Sequence, residues 1–201
     1  PYPTLFRSVG VSLTKISKLS DLMELNEKVS EANAATRQTI AATARDTIRA
    51  MDEIVWAINP RNDTLKEMAD YLVYFAKDLL DTTGIACKLD VPLNLPDVPV
   101  ATEVRHTVFM VVKEALNNAV KHAAPTEIRL GLEVTENRIS IVVADNGRGF
   151  SPDQAAGVGN GLENMQKRMS ALGGVVGFAT EPGQGTTVKF HVPIGEAKTD
   201  P

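Results

Sequence analysis

Glu114-Ala-Leu-Asn-Asn118-Ala-Val-Lys121-His122 runs ahead of a short β-like segment that ends in Asp145-Asn-Gly147-Arg-Gly149-Phe150. On a helix, residues four apart share a face, so Glu114 and Asn118 stand one turn apart, with Lys121 or His122 a turn further. Val108, Val111, Val112, Ala115 and Ala119 supply the buried side of the same helix. An amide oxygen can coordinate a hard cation without adding charge, which makes Asn118 the candidate ligand for Mg²⁺ beside phosphates and water. Glu114 is positioned to orient or deprotonate a nucleophile, and Lys121 to counter phosphate charge.

Asp145 ends the hydrophobic run Ile139 to Ala144, at a sheet margin where ligands commonly meet a fold. Its carboxylate can accept from an adenine amino group but cannot donate to a guanine carbonyl, so adenine is favoured. Gly147 and Gly149 permit close backbone approach, and Phe150 can anchor the loop. Alone, Asp-Asn-Gly is an ordinary turn. Two further glycine clusters follow in order: Gly157, Gly159 and Gly161 before a helix, and Gly185-Thr186-Thr187 before a strand. The first can bring amides to phosphates at a helix N-terminus and close as a lid. The order of these stretches, more than any one of them, predicts ATP with a divalent metal.

Composition excludes several other classes. The chain has 201 residues, 43% of them hydrophobic, and a formal charge of −4 with no dense Lys/Arg cluster, which argues against a nucleic-acid partner. A single cysteine, Cys87, rules out an internal disulfide and a multi-cysteine metal site. No run of about 18 apolar residues exists to span a membrane. Pro1-Tyr2-Pro3 lacks an initiator Met, so the chain is expected to be a cytoplasmic piece of a longer protein whose remainder can include a membrane-anchored sensor.

Organisation changes at the middle of the first hundred residues. Val9, Leu13, Ile16, Leu19 and Met23 form one helical stripe, and Ile40, Ala44, Ile48, Met51 and Val55 a second. A lone hairpin cannot bury two such faces. The expectation is a dimerisation hairpin over residues 1–60 that pairs with a second copy into a four-helix bundle, making the protein a homodimer. The alternative is that both stripes lie against the rest of the same chain.

Asn59-Pro60 ends the hairpin, and a nucleotide-binding domain follows over 61–195, with a tail at 196–201. Thr64 and Glu67 read as a capping box opening a helix to Thr83 or Gly84, with Leu65, Met68, Leu72, Phe75, Ala76 and Leu79 on its apolar side. A strand from Ile85 to Val91 and an extended linker with Pro92, Pro96 and Pro99 precede the helix Ala101 to His122. Strands Glu127 to Val134 and Arg138 to Ala144 turn at Glu136-Asn137; a loop covers 145–160 and a helix Leu162 to Leu172. Strands Val175 to Thr180 and Thr186 to Pro193 close the domain. The fold class is α+β: an antiparallel sheet with helices on one face and its other face toward water.

At these residues the chain resembles the ATP-binding domain shared by sensor histidine kinases, Hsp90 chaperones, type II topoisomerases and mismatch-repair ATPases. Glu114 to His122 is similar to the family's asparagine-containing helix and Asp145-x-Gly147-x-Gly149 to its adenine motif. Gly159-Asn-Gly161-Leu162-x-Asn164-Met is similar to its lid-to-helix motif, and Gly185-Thr186-Thr187 to its last glycine motif. The resemblance implies a two-layer α/β sandwich in which Asp145 contacts adenine, Asn118 binds Mg²⁺, Glu114 assists transfer, and Lys121, His122 and the lid handle phosphates. Asp52-Glu-Ile-Val-Trp56-Ala-Ile-Asn59-Pro60, Lys121-His122-Ala and Asn164-Met-Gln-Lys-Arg168 resemble the histidine kinases whose helical dimerisation domain precedes the ATPase domain. That resemblance implies transfer of the ATP γ-phosphoryl group to a histidine and then to an aspartate on a response-regulator receiver domain.

One position departs from the pattern. The subgroup's phosphoacceptor stands in a His-Asp-x-Leu-Gly-x-x-Leu-Thr setting; this chain keeps Gly10-x-x-Leu13-Thr14 but has Phe6 and Arg7 where the histidine and aspartate belong. Phenylalanine has no lone pair to take a phosphoryl group. Either Pro1 to Ser8 is foreign to the native chain or the kinase is degenerate, and in both cases self-phosphorylation by the usual route is not expected. His106, His191, Trp56, Met51, Met165 and Cys87 read as structural, and His122 as divided between phosphate contact and packing. Two other readings remain open: a non-catalytic dimeric signalling module, and an ATP hydrolase in which Glu114 activates water.

Overall fold

A computed structural model describes residues 63–81, 83–135, 138–151 and 161–194, with isolated helical positions at Ile16, Lys18, Thr39, Ile40, Thr43, Ala44, Thr47 and Trp56. The chain separates into two compact units, Pro1–Pro60 and Arg61–Pro201, and the second carries the sheet. The hairpin turn, most of the two N-terminal stripes, Phe6, Arg7, the Glu136-Asn137 turn, Gly157, Gly159 and the 196–201 tail lie outside the described residues.

Helix α1, Leu65–Asp81, begins at the capping box. The Glu67 amide donates to Thr64 Oγ1 at 3.3 Å, and the same hydroxyl donates to the Glu67 carboxylate at 2.8 Å. Leu65, Met68, Leu72 and Ala76 are buried as the spacing predicts, joined by Ala69 and Leu80. Strand β1, Ala86–Asp90, follows, and the proline-containing strap after it returns to α1, where the Leu65 amide donates to Val98 O and the Val100 amide to Asp63 O.

Helix α2 spans Thr102–Asn118 and passes directly into a π-helical turn, Ala119–Ala123, that ends at Ala124 in the left-handed conformation with φ 48°. The expected single helix to His122 therefore changes winding after Asn118. Arg105, at its start, is 1% exposed: its guanidinium donates to Val100 O at 2.8 Å and to Thr102 Oγ1 at 3.2 Å, so a charge sits inside the core because backbone and hydroxyl oxygens receive it.

Strands β2, Glu127–Thr135, and β3, Arg138–Asp145, pair antiparallel; helix α3, Gly161–Ser170, leads to β4, Val175–Thr180, and β5, Thr186–Pro193. The sheet order is β1-β2-β3-β5-β4. All pairs are antiparallel except β1 with β2, which is parallel because α2 carries the chain across between them. The sheet is thus mixed, where full antiparallel pairing was expected. Alternation sends Ile128, Leu130, Leu132, Ile139, Ile141, Val143, Val188, Phe190 and Val192 inward, all buried, against the buried sides of the helices. Met165 and Met169 of α3 join the same core at 1% and 0% exposure.

Candidate functional site

Strand parity places the first group. Ile139, Ile141 and Val143 face inward, so Asp145, two residues further at the end of β3, turns its carboxylate to the helix-covered side. There it lines a cavity of about 630 Å³ with Glu114, Asn117, Asn118, Lys121 and His122 of α2 and its π turn. Gly149, Gly161, Leu162 and Thr186 line the same space, and Val143, Met165 and Val188 give it apolar walls.

Two hydrogen bonds assign the polar atoms. Asn118 Nδ2 donates to Glu114 Oε1 at 3.3 Å, which leaves the Asn118 carbonyl oxygen and the second Glu114 oxygen uncommitted. The Gly147 amide donates to Asp145 Oδ1 at 2.9 Å, so the other carboxylate oxygen is left to accept from a ligand. Among the described residues no group of three His, Cys, Asp or Glu could hold a metal ion by itself. An oxygen ligand from Asn118 fits a hard cation that takes the rest of its shell from phosphates and water, the habit of Mg²⁺.

The glycines are explained by what lies against them. A Cβ on Gly147 would come within 2.3 Å of Ala123 O, on Gly149 within 2.0 Å of Glu181 O, and on Gly185 within 2.0 Å of Asp145 O. Each contact is backbone on side-chain position, with nothing flexible to yield. A Cβ on Gly161 would sit 2.6 Å from Glu114 Oε1 and 3.5 Å from Asn118 Nδ2, so the start of α3 is pressed against the acid and amide of α2.

Side chains complete the cradle. Asn146 Oδ1 accepts from the Thr126 and Glu127 amides at 2.9 Å each, and Asn146 Nδ2 donates to Thr126 Oγ1 at 2.8 Å, fastening the turn to the start of β2. Thr180 Oγ1 receives the Phe150 amide at 3.0 Å and lies 3.1 Å from both Gly185 O and Thr186 Oγ1. That hydroxyl joins the loop after Asp145 to the turn before β5. The sequence offered a signal, a threonine closing an alternating strand just before Glu181-Pro-Gly-Gln-Gly185, that the spacing argument passed over, as it did Asn117, Arg148 and the apolar walls.

The expected residues divide. Glu114, Asn118, Lys121, His122, Asp145, Gly149, Gly161, Leu162 and Thr186 share the cavity, while Gly147 and Gly185 shape its rim by backbone contact. Thr187 stands opposite Ala144 on the other side of the sheet and does not line it. Gly159 is outside the described residues. Of the remaining candidates, His106 is half-buried on α2; burial, and next the Arg168 charge, hold its pKa below the ordinary 6.5. Burial pushes the Cys87 thiol up from 9.0, against the opposing Lys77 charge, which leaves it a poor nucleophile at neutral pH.

Residues 103–196 match the family described as histidine kinase-, DNA gyrase B- and HSP90-like ATPase. The match takes in every residue that lines the cavity. The chain is 31% identical over 117 residues to the sensor histidine kinase LiaS of Bacillus subtilis, and 25% identical over 197 residues to the sensor histidine kinase LnrJ of the same organism. Those alignments cover 58% and 98% of this chain but only 32% and 47% of the relatives, so the chain spans a third to a half of their length. The fold matches the histidine kinase domain of the Erythrobacter litoralis blue-light activated histidine kinase with a TM-score of 0.59 at 20% identity, over 90% of this chain and 96% of that one. It matches ShkA, solved full-length in complex with AMPPNP, with a TM-score of 0.59 at 21% identity, over 95% of this chain and 46% of that one. Over these stretches the chain is similar to sensor histidine kinases. No helix among the described residues is long and apolar enough to cross a membrane.

Proposed function

We propose that this chain is the dimerising and ATP-binding part of a sensor histidine kinase, whose parent activity moves the γ-phosphoryl group of ATP to a histidine and then to a response-regulator aspartate. The observation that carries the reading is the convergence of Glu114, Asn118 and Asp145 on one cavity of about 630 Å³, from two elements far apart in sequence. The relative solved with AMPPNP, an ATP analogue, supports the same ligand.

In this reading the unengaged Asp145 oxygen accepts from the adenine amino group, and Val143, Met165 and Val188 hold the base against water. Asn118 would hold Mg²⁺ through its amide oxygen, and that ion, when bound, supplies charge neutralisation for the phosphates. Lys121 and His122, exposed at the lip, meet phosphate oxygens. Where the acceptor histidine is intact, Glu114 takes the imidazole proton as the ring nitrogen bonds to the γ-phosphorus and the bond to the ADP oxygen breaks. In the parent activity that histidine belongs to the dimerisation unit of a homodimer. With Phe6 at the expected position, this chain binds ATP without labelling itself.

Calorimetric titration of the full chain with ATP, with and without Mg²⁺, tests the reading. Asn118→Ala is expected to weaken Mg²⁺-dependent binding at least tenfold, about 1.4 kcal/mol, and Glu114→Ala to change binding little. A chain carrying Phe6→His is expected to gain acid-labile phosphate that Glu114→Ala removes. Folded protein that ignores adenine nucleotides in every condition sinks the proposal.

A further inference from the structure

The side of the sheet turned away from the nucleotide cavity holds a second concavity, of about 460 Å³, lined by Glu133, Thr135, Arg138, Ser140, Lys189 and His191. Register builds it. Glu133 pairs with Ser140 and Ser140 with His191, so three side chains from β2, β3 and β5 stand in one row, with Arg138 and Lys189 two residues away along their strands. Among the described residues neither Arg138 nor Lys189 forms an ion pair, although Glu133 lines the same hollow. Ser140 Oγ is shut off from water and makes no hydrogen bond. A hydroxyl left so is an open demand for a partner. Two cations against one carboxylate also make this spot locally positive on a chain of net charge −4.

We propose that this concavity binds the oxyanion of a small phosphate or phosphomonoester. Arg138 and Lys189 flank the anion, and rotation of these exposed side chains away from the floor uncovers the Ser140 hydroxyl as a donor to it. Glu133 repels a second anion and accepts from a hydroxyl on the ester's body. The volume exceeds what one inorganic ion fills and suits a small organic ligand.

Amide spectra of the isotope-labelled full chain, titrated at constant ionic strength with inorganic phosphate and separately with glycerol 2-phosphate, test this. Saturable shifts centred on Ser140, Lys189 and His191 are expected, weakened tenfold or more in the folded Arg138→Gln/Lys189→Gln double variant and severalfold in Ser140→Ala. Tighter binding of the ester assigns an ester ligand; tighter binding of phosphate assigns the free ion. Shifts that rise linearly without saturating, that persist unchanged in the double variant, or that appear only around Asp145 and Asn118 overturn the proposal.

Discussion

The two faces of β3 are built on opposite terms. Inward, Asp145 is enclosed by backbone: its neighbours Gly147, Gly149 and Gly185 have no room for a single added carbon, and Asn146 and Thr180 spend their hydrogen bonds on fixing the turn. Outward, among the described residues, the Ser140 hydroxyl makes no hydrogen bond, and Arg138 and Lys189 stand without ion pairs. One side of a strand is determined by its own protein and the other is left to be completed. The difference teaches where to look for stability and where for ligands, since constrained groups defend a shape and unsatisfied ones await a partner.

The contrast breaks most easily at Gly185. Gly185→Ala places a carbon on Asp145 O at a φ of +77°, and should cost about 3 kcal/mol or more, read as a fall in the urea midpoint, with ATP affinity lost alongside. A variant as stable as the parent would show that the inner cradle yields. Asp145→Ala should next weaken ATP binding by about 2 kcal/mol in calorimetry while leaving the sheet intact. Thr180→Val, which deletes the hydroxyl shared by loop and turn, is expected to cost about 1–2 kcal/mol of unfolding free energy. Its outer counterpart, Ser140→Ala, removes a hydroxyl that bonds nothing and should leave stability within about 0.5 kcal/mol or raise it. Equal losses at Thr180 and Ser140 would erase the distinction between the faces.

The smallest effect belongs to His106. Its folded pKa lies below the unfolded 6.5, so the unfolded chain takes up more protons as the solution acidifies. The stability linked to this residue is therefore present above about pH 6.5 and is lost as pH falls through the folded value. Urea midpoints at about pH 7.5 and about pH 5.5 should differ less in His106→Gln than in the parent.

Much of the inner face was legible in the chain because it is written in short-range spacing. Period-two alternation located β2 through β5, the period of 3.6 found the buried side of α2, and Thr64 with Glu67 marked the start of α1. Glu114 and Asn118 were visible as a pair because helical spacing aims them together, and Asp145 joined them through the order of the glycine clusters that follow. What stayed hidden depends on partners distant in sequence. Arg105 reads as a surface residue until the strap's Val100 carbonyl arrives beside it, and the parallel pairing of β1 follows from a crossover that no local pattern encodes. Thr187 was grouped with its neighbour Thr186, yet adjacent strand residues face opposite ways, so only one of the pair reaches the cavity. The outer hollow draws on three strands at once, and its register is set only when the sheet assembles.

The widened winding at Ala119–Ala123 carries a consequence for how this protein can be altered. Each residue of an ordinary helix advances the chain by about 100° around its axis. A π turn holds about one residue more than the α turn it replaces, so deleting one position here, Val120 for instance, should restore regular helix and leave the chain beyond it near its present bearing. Shortening, rather than replacement, is thus the edit that asks whether the lysine and histidine at the mouth owe their stance over the acid and amide below to that extra residue.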